Sequence, residues 1–476
     1  MIPARLVLPA LRWRPETGFA HEEPAIEHAL ELGVGGFIVF GGPGARRDEI
    51  AALTARIARQ AGRPLLVGAD LERGAGQQAR GATECPPPRA LAALGDPAVI
   101  RWAGAVTGRE ARELGVNWVF APVADLDLDP ANPIVQTRAF GDDPDRTGAA
   151  VAEWVRSCQA EGVMACAKHY PGHGRTTADS HERLPRVAAD AATLRRSDLV
   201  PFRAAVAAGV GSIMTAHVAY PALDPAGCPA TLSPPILDQL RQELGFQGLI
   251  VTDALVMEGV RGGRSEREVA PEAVAAGCDL LLYPRDLDGA VEGLRHAMAD
   301  GRLSEDRLTE ALARGAAALA ALQEPRVPPP PAAPALAAAS VAARLLAAGL
   351  LRGVPPRLDR GFRFVIVDDD QTGWYPPGPN DLVPRTLARR GIHERWEGAR
   401  IVLAFASPRA GRDRAGFGSA SQAELARQAP GAGLVVLFGH PRLVAEIPGD
   451  APVLCAWHRQ ELMQRAVADW LAERAR

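Results

Sequence analysis

The chain has 476 residues, which is too long for one ordinary hydrophobic core, so two domains are expected. Its formal net charge of -3 argues against a basic face for nucleic acid or anionic lipid. The N-terminus lacks a signal-peptide pattern, and no segment approaches the roughly 20 apolar residues of a membrane helix. We therefore expect a cytoplasmic protein, a monomer or homodimer, that binds neither nucleic acid nor membranes.

Eight short apolar runs follow one another in the first part of the chain, and helical patterns such as 48–61 and 98–114 separate most of them. Fully apolar strands that alternate with helices indicate a parallel sheet covered by helices. Eight such units predict a closed (β/α)8 barrel of the TIM type over residues 1–322. The runs are Arg5–Pro9, Gly36–Phe40, Leu65–Ala69, Val116–Pro122, Met164–Lys168, Ser212–His217, Leu249–Asp253 and Leu280–Tyr283.

A proline-rich stretch, EPRVPPPPAAPALAAA, follows Gln323. Consecutive prolines form a stiff, extended connector, so we place a linker at 323–335. Beyond it, strands are predicted at 362–368, 400–407, 433–439 and 451–457, with helices over 421–428 and 460–475. The predicted fold class is therefore α/β, with a barrel followed by a smaller α/β sandwich domain over 336–476.

Cysteine usage adds little chemistry. The six cysteines form no C-x-x-C pair, so neither a disulfide framework nor a zinc ribbon is indicated. Cys166 and Cys278 lie in apolar runs, which favours buried structural thiols.

Polar side chains occur where five of the eight predicted strands end. Barrel enzymes build their sites at the carboxyl ends of the strands. This pattern therefore predicts a functional site at that end of the barrel. The strand ends carry Asp70, Asp125, Lys168 with His169, His217, and Asp253.

The stretch AKHYPGHGRTTADSH, residues 167–181, holds Lys168, the only lysine in a chain with 53 lysine and arginine residues. Lysine carries a compact point charge, whereas arginine carries a planar fork. A lysine retained in a chain that otherwise uses arginine therefore suggests a tight pocket.

The same stretch places Asp179 two residues before His181. In extended backbone these side chains share a face, so the carboxylate can hold one imidazole nitrogen and fix its tautomer. His181 is then a candidate general acid/base. One alternative is a zinc site formed by His169, His173 and His181. However, a helical H-E-x-x-H is absent and Pro and Gly interrupt the spacing, so we expect no metal and no cofactor.

Asp253 lies in GLIVTDALVMEGV, residues 248–260, at the end of an apolar strand. In isolation, a helix N-cap is the more common role for such an aspartate. Its position beside the other polar strand ends favours a functional role instead.

Together these motifs resemble the β-N-acetylhexosaminidase branch of glycoside hydrolase family 3. The resemblance covers residues from 5 to the end of the predicted barrel, in the family's order. It rests on the segments GADLERGAGQQ (68–78), NPIVQTRAFGDDP (132–144), KHYPGHGRTTADSH (168–181), MTAHVAYPALD (214–224) and VTDALVMEGV (251–260).

The resemblance implies a retaining, two-step mechanism in which Asp253 is the nucleophile and His181 the acid/base, with Asp179 as its partner. It also implies a set of sugar-binding residues at the same strand ends. Two departures stand out. Gln78 occupies a position where the family commonly has arginine, and Ala254 one where a second acidic residue is common. The candidate substrate-binding residues are Asp70, Arg138, Lys168, His169, His217 and Gln78.

These observations favour an exo-acting β-N-acetylglucosaminidase that hydrolyses terminal β-linked N-acetylhexosamine from cell-wall or chitin-derived fragments, with a role in peptidoglycan recycling. Its partner would be a small carbohydrate substrate. Three alternatives stay open: a β-N-acetylglucosaminide phosphorylase on the same scaffold, a metal-dependent barrel hydrolase, and a carbohydrate-binding protein that has lost catalysis.

Overall fold

The computed structural model describes residues 2–323, 337–355, 358, 361–369, 378–408 and 411–475. Within these residues, a first sheet contains nine strands, and every neighbouring pair is parallel. The strands are β1 (Val7–Leu8), β2 (Ala10–Arg12), β3 (Gly36–Phe40), β4 (Leu66–Ala69), β5 (Trp118–Val119), β6 (Met164–Tyr170), β7 (Ser212–Thr215), β8 (Leu249–Ala254) and β9 (Leu280–Leu282).

The first sheet closes on itself because β1 and β2 are two halves of one strand on either side of Pro9. β1 pairs with β9, whereas β2 pairs with β3, so the two ends of the sheet are joined by a single residue. Counted this way, the barrel has eight strands, and each lies in or beside one of the eight predicted runs. The predicted fold class is confirmed.

Helices follow most of the strands. The helix α5 (Pro144–Ala160) illustrates why they form: Asp143 accepts a hydrogen bond from the Arg146 backbone N at 2.8 Å, and Pro144 occupies the first turn. The helices are α1 (Glu23–Leu32), α2 (Arg47–Ala61), α3 (Pro88–Ala93), α4 (Pro97–Glu113), α5 (Pro144–Ala160), α6 (Ala191–Arg196), α7 (Val200–Ala207), α8 (Pro234–Gln242), α9 (Glu258–Arg261), α10 (Glu266–Ala276), α11 (Leu287–Ala299) and α12 (Glu305–Gln323).

The barrel interior is packed with side chains. Trp118 is fully buried, and its Nε1 donates to Ser212 Oγ at 2.7 Å, joining two strands that are not neighbours. Glycine is required at position 68, because a Cβ there would lie 2.3 Å from the Phe120 ring. The predicted buried thiols, Cys166 and Cys278, both lie in the core.

A second sheet lies in the C-terminal part of the chain, with strands β10 (Leu350–Arg352), β11 (Phe362–Val367), β12 (Ala399–Ala406), β13 (Leu434–Gly439) and β14 (Val453–Cys455). The strand order is β10-β14-β13-β12-β11, and β10 is antiparallel to its neighbour β14. The four strands predicted there are present, whereas β10 was missed because it is a short edge strand. The helices of this part are α13 (Ala338–Ala347), α14 (Leu382–Arg389), α15 (Ser419–Gln428) and α16 (Glu461–Arg474).

Contacts divide the chain into two compact units. The barrel unit contains Met1–Thr83, Ile100–Asp129 and Ala139–Pro334, and the second unit contains Glu84–Val99, Pro130–Arg138 and Ala335–Arg476. Two segments that the sequence assigned to the barrel domain thus group with the C-terminal residues. Gln460, for example, donates to the carbonyl of Cys85 at 2.8 Å. The predicted boundaries stay a prediction, and nearly all of the predicted linker lies outside the described residues.

Among the helices in the described parts of the chain, none combines the length and the apolar character that crossing a bilayer requires.

Candidate active site

Lys168 lies near the end of β6, a strand whose residues are all buried. Its ammonium contacts two carboxylates, with Nζ 2.7 Å from Asp70 Oδ1 and 2.9 Å from Glu72 Oε1, and its side chain is 4% exposed. Asp70 stays 29% exposed and can present an oxygen to a ligand. The sequence reasoning missed Glu72, although its position two residues after Asp70 was a usable signal.

His169, the next residue, is held by Asp125. Its Nδ1 lies 2.7 Å from Asp125 Oδ2, and the other carboxylate oxygen accepts from the backbone N of His169 at 3.1 Å and of His173 at 2.6 Å. Burial by itself raises the pKa of the Asp125 carboxyl, but His169 and these hydrogen bonds hold it below its usual range. The orientation of the His169 ring is therefore fixed, with Nε2 3.9 Å from Asp253 Oδ2.

Asp253 lies inside β8, and the following helix, α9, begins only at Glu258, so Asp253 is not a helix N-cap. Its Oδ1 accepts from the backbone N of Ala254 at 2.7 Å. Burial raises the pKa of the Asp253 carboxyl, but the surrounding histidines, His169 foremost, outweigh that effect and lower the pKa to about 2. The group is thus an ionised carboxylate at neutral pH, with Oδ1 occupied and Oδ2 facing the imidazole.

Asp179 and His181 form the contact that the sequence predicted. His181 Nδ1 lies 2.7 Å from Asp179 Oδ1, which also accepts from the His181 backbone N at 2.8 Å. The backbone is not extended there, as the spacing argument assumed, because Asp179 O accepts from the backbone N of Glu182 and of Arg183 in a turn. Since the carboxylate can only accept, it holds the proton on Nδ1, which makes Nε2 the basic nitrogen of the neutral ring.

The loop that carries His181 is tied to the segment that follows the Asp253 strand. The backbone N of Glu258 donates to His181 O at 3.2 Å, and the backbone N of Gly259 donates to Ser180 O at 3.0 Å. Within the loop itself, His173 Nε2 lies 3.0 Å from Ser180 Oγ. These bonds bring the Asp179–His181 pair and Asp253 to the same part of the barrel mouth.

The three histidines of the zinc alternative have separate partners. His169 is bonded to Asp125, His181 to Asp179, and His173 to Thr176 and Ser180. In the parts of the chain that the structure describes, no group of three or more His, Cys, Asp or Glu side chains has a geometry that could hold a metal ion.

His217 is fully buried and uses both ring nitrogens within the protein. Nε2 lies 3.1 Å from the carbonyl of Ala254, and Nδ1 lies 2.7 Å from Thr231 Oγ1. A carbonyl only accepts, so Nε2 carries the proton and the Thr231 hydroxyl donates to Nδ1. Burial lowers the pKa of His217 to about 4, which keeps the ring neutral. In this structure His217 supports the backbone beside Asp253.

Two candidates remain, Gln78 and Arg138. Gln78 is buried, and its Oε1 accepts from the backbone N of Gly42 at 2.9 Å, so its side-chain carbonyl holds a turn. Arg138 belongs to the second compact unit, and its Nη1 donates to Ile134 O at 3.2 Å.

Comparison with known proteins places this geometry in a family. The model of the glycosyl hydrolase family 3 N-terminal domain matches residues 14–317, so the chain belongs to glycosyl hydrolase family 3, as its motifs predicted. A β-N-acetylglucosaminidase/β-glucosidase from Cellulomonas fimi is 39% identical over 284 residues, which are 58% of this chain and 50% of that protein. The chain thus spans about half the length of this relative.

For two further proteins, the match covers a larger share of the relative's length. A β-hexosaminidase from Chromobacterium violaceum is 35% identical over 285 residues, which are 57% of this chain and 78% of that protein. The solved structure of a family 3 β-N-acetylglucosaminidase from Paenibacillus sp. str. FPU-7 is 27% identical, with a TM-score of 0.84 over 99% of this chain and 96% of that chain.

Proposed function

We propose that this protein is a retaining exo-β-N-acetylglucosaminidase that removes terminal β-linked N-acetylhexosamine from cell-wall or chitin-derived fragments. The observation that carries the proposal is the pairing of an ionised, half-buried Asp253 with a His181–Asp179 pair on a loop anchored beside it. The printed activities of the Cellulomonas fimi, Chromobacterium violaceum and Paenibacillus proteins support it.

In the first step, Asp253 Oδ2 attacks the anomeric carbon while the Ala254 N–H holds Oδ1. The bond to the leaving oxygen breaks, and protonated His181 gives its Nε2 proton to that oxygen. Asp179 keeps the ring in the required orientation and stabilises its positive charge before the transfer. A glycosyl-enzyme ester results.

In the second step, neutral His181 takes a proton from water through Nε2, and the water oxygen attacks the anomeric carbon. The ester bond breaks, Asp253 leaves as a carboxylate, and the sugar is released with its original β configuration. Asp70 and Lys168 would hold sugar hydroxyls, since the carboxylate accepts and the ammonium donates hydrogen bonds.

Phosphorolysis would replace water by inorganic phosphate in the second step. The positive charge of Lys168 would favour such an anionic acceptor. The ammonium lies between Asp70 and Glu72, so its charge is offset by two carboxylates. We therefore propose hydrolysis as the main reaction, and product analysis in phosphate buffer against a non-nucleophilic buffer tests it: sugar 1-phosphate as the main product would contradict it.

The nucleophile assignment is tested with a 5-fluoro N-acetylglucosaminyl fluoride and peptide mapping. We expect one covalent label, on Asp253, and none in Asp253→Asn. Because the substitution keeps the volume of the side chain, we expect the variant to fold, and circular dichroism checks this. A label on another residue of the wild-type protein would overturn the assignment.

A further inference from the structure

Asp253 lies on a part of β8 where regular strand pairing is interrupted. The last pair of the β7–β8 ladder contains Val251, two residues before Asp253. On the other side, the step from Val251 to Ala254 in β8 matches the shorter step from Leu280 to Leu282 in β9. The extra residue forms a β-bulge, a feature that re-aims side chains beside active sites. The position of Asp253 therefore depends on the contacts that hold Ala254, the next residue.

The backbone of Ala254 is held at its N–H and at its carbonyl. The N–H donates to Asp253 Oδ1 at 2.7 Å, and the carbonyl accepts from His217 Nε2 at 3.1 Å. His217 lies beyond the end of β7, so this contact joins the two segments after their ladder has ended. The His217 side chain thus fixes the peptide group next to the one whose N–H holds the nucleophile.

Two threonine hydroxyls fix the tautomer of His217. Because the Ala254 carbonyl only accepts, the ring proton is on Nε2, and Thr231 Oγ1 donates to Nδ1 at 2.7 Å. The Thr231 hydroxyl proton is then committed, so Thr231 Oγ1 accepts from Thr215 Oγ1 at 2.9 Å. His217, Thr231 and Thr215 are all fully buried. These three side chains and the Ala254 carbonyl form one directed series of hydrogen bonds, here called the His217 network.

The direction of the His217 network matters because the other tautomer would turn an attraction into a repulsion. Without the Thr231 donor, the ring proton can move to Nδ1, which leaves a lone pair on Nε2 facing the lone pairs of the Ala254 carbonyl. The carbonyl would move away, and the N–H that holds Asp253 Oδ1 would move with it. A displacement of about 1 Å at a reacting group can cost roughly 10²-fold in rate.

We propose that the side chains of the His217 network are positioning residues, which orient the nucleophile through the backbone of Ala254. The inference rests on the proposed function, in which Asp253 attacks the anomeric carbon. It gives His217 a role other than the direct sugar contact that the sequence predicts. Asp70 and Lys168, the proposed sugar contacts, belong to other strand ends. Loss of the network should therefore slow attack by Asp253 and leave binding of the sugar unchanged.

The test separates attack from binding with 5-fluoro N-acetylglucosaminyl fluoride, the reagent that should label Asp253. The labelling rate at saturating reagent reports the attack, and the concentration that gives half of this rate reports binding. Thr231→Val removes the hydroxyl with little change in side-chain volume. We expect the saturating rate to fall by roughly 10- to 100-fold and the half-saturating concentration to stay unchanged. Thr231→Ser keeps the hydroxyl and should label at nearly the wild-type rate.

Thr54→Val is the matched control. It removes a buried hydroxyl that donates to the Leu114 carbonyl at 2.7 Å, on a helix outside the site, and its labelling rate should equal that of the wild-type protein. His217→Phe removes both ring nitrogens and should slow labelling more than Thr231→Val does. Circular dichroism and urea unfolding establish which variants are folded in the assay, and Thr231→Val carries the test if His217→Phe does not fold.

The outcomes distinguish this inference from the function on which it rests. A wild-type protein without a label on Asp253 would contradict the nucleophile assignment itself. A labelled wild-type protein and an unchanged saturating rate in Thr231→Val would overturn the role of the network; a raised half-saturating concentration would then favour direct contact of His217 with the sugar. Losses of equal size in Thr231→Ser or Thr54→Val would also overturn it, because the missing hydroxyl of Thr231 would not be their cause.

Discussion

Acid should destabilise the fold through His173, because this side chain is buried as a neutral ring. It is 2% exposed, and burial lowers its pKa from 6.5 to about 4. Since the folded-state pKa lies below the unfolded value, the unfolded chain binds a proton between pH 6.5 and 4 that the folded chain does not. The stabilisation is therefore complete above pH 6.5 and is lost as the pH falls towards 4, a change of about 3 kcal/mol at about 1.4 kcal/mol for each pKa unit.

Urea unfolding of the wild-type protein and His173→Gln, measured at several pH values from 7.5 to 4, tests this reasoning. His217, whose pKa is also about 4, lowers the stability of the fold over the same pH range, but it does so in both proteins. Asp125 and Asp253 have lowered pKa values and act only below their ordinary value of 3.8. We expect the difference in free energy of unfolding between the two proteins to shrink by about 3 kcal/mol from pH 7 to 4. Parallel pH profiles would refute the reasoning, and the exposed His393→Gln is the control.

Further predictions concern the site. His181→Ala should slow alkyl glycosides by roughly 10²- to 10⁴-fold but barely affect dinitrophenyl glycosides, and equal losses in steady-state kinetics would exclude the general-acid role. Lys168→Arg should raise KM, because a guanidinium does not fit the 4% exposed position between two carboxylates; an unchanged KM contradicts this. Thr231→Val should cost about 1–3 kcal/mol in urea unfolding by leaving His217 Nδ1 without a donor, whereas Thr231→Ser should retain most of the stability. Dialysis against a chelator should leave turnover unchanged, and loss of activity restored by a metal would favour the metal-dependent alternative.

The barrel and most of its strands follow from the sequence because a buried parallel strand must be apolar on both faces. That pattern also identified the strand ends, and with them Asp70, Lys168, His169 and Asp253. Local motifs further predicted the Asp179–His181 contact, although the supporting backbone is a turn. These features depend on residues close together in the chain, which is why periodicity and spacing suffice to find them.

Other roles depend on which strands become neighbours, and only the closed barrel decides that. The sequence proposes His217 and Gln78 as ligand-binding residues, which stays a prediction. Only the structure shows that His217 contacts Thr231 and Ala254, and that Gln78 accepts from the backbone N of Gly42. Glu72 contacts Lys168 because the segment after β4 and the end of β6 lie at the same end of the barrel, with only β5 between the two strands.

The packed cluster of Arg12, Phe40 and Tyr283 is the clearest case of this dependence. Arg12, Phe40 and Tyr283 come from both ends of the barrel sequence, and Arg12 and Tyr283 are 271 positions apart. No local pattern connects them, since each reads as an ordinary residue at the end of its own strand. They become one surface only because β1 pairs with β9 while β2 pairs with β3, which is the closure of the sheet.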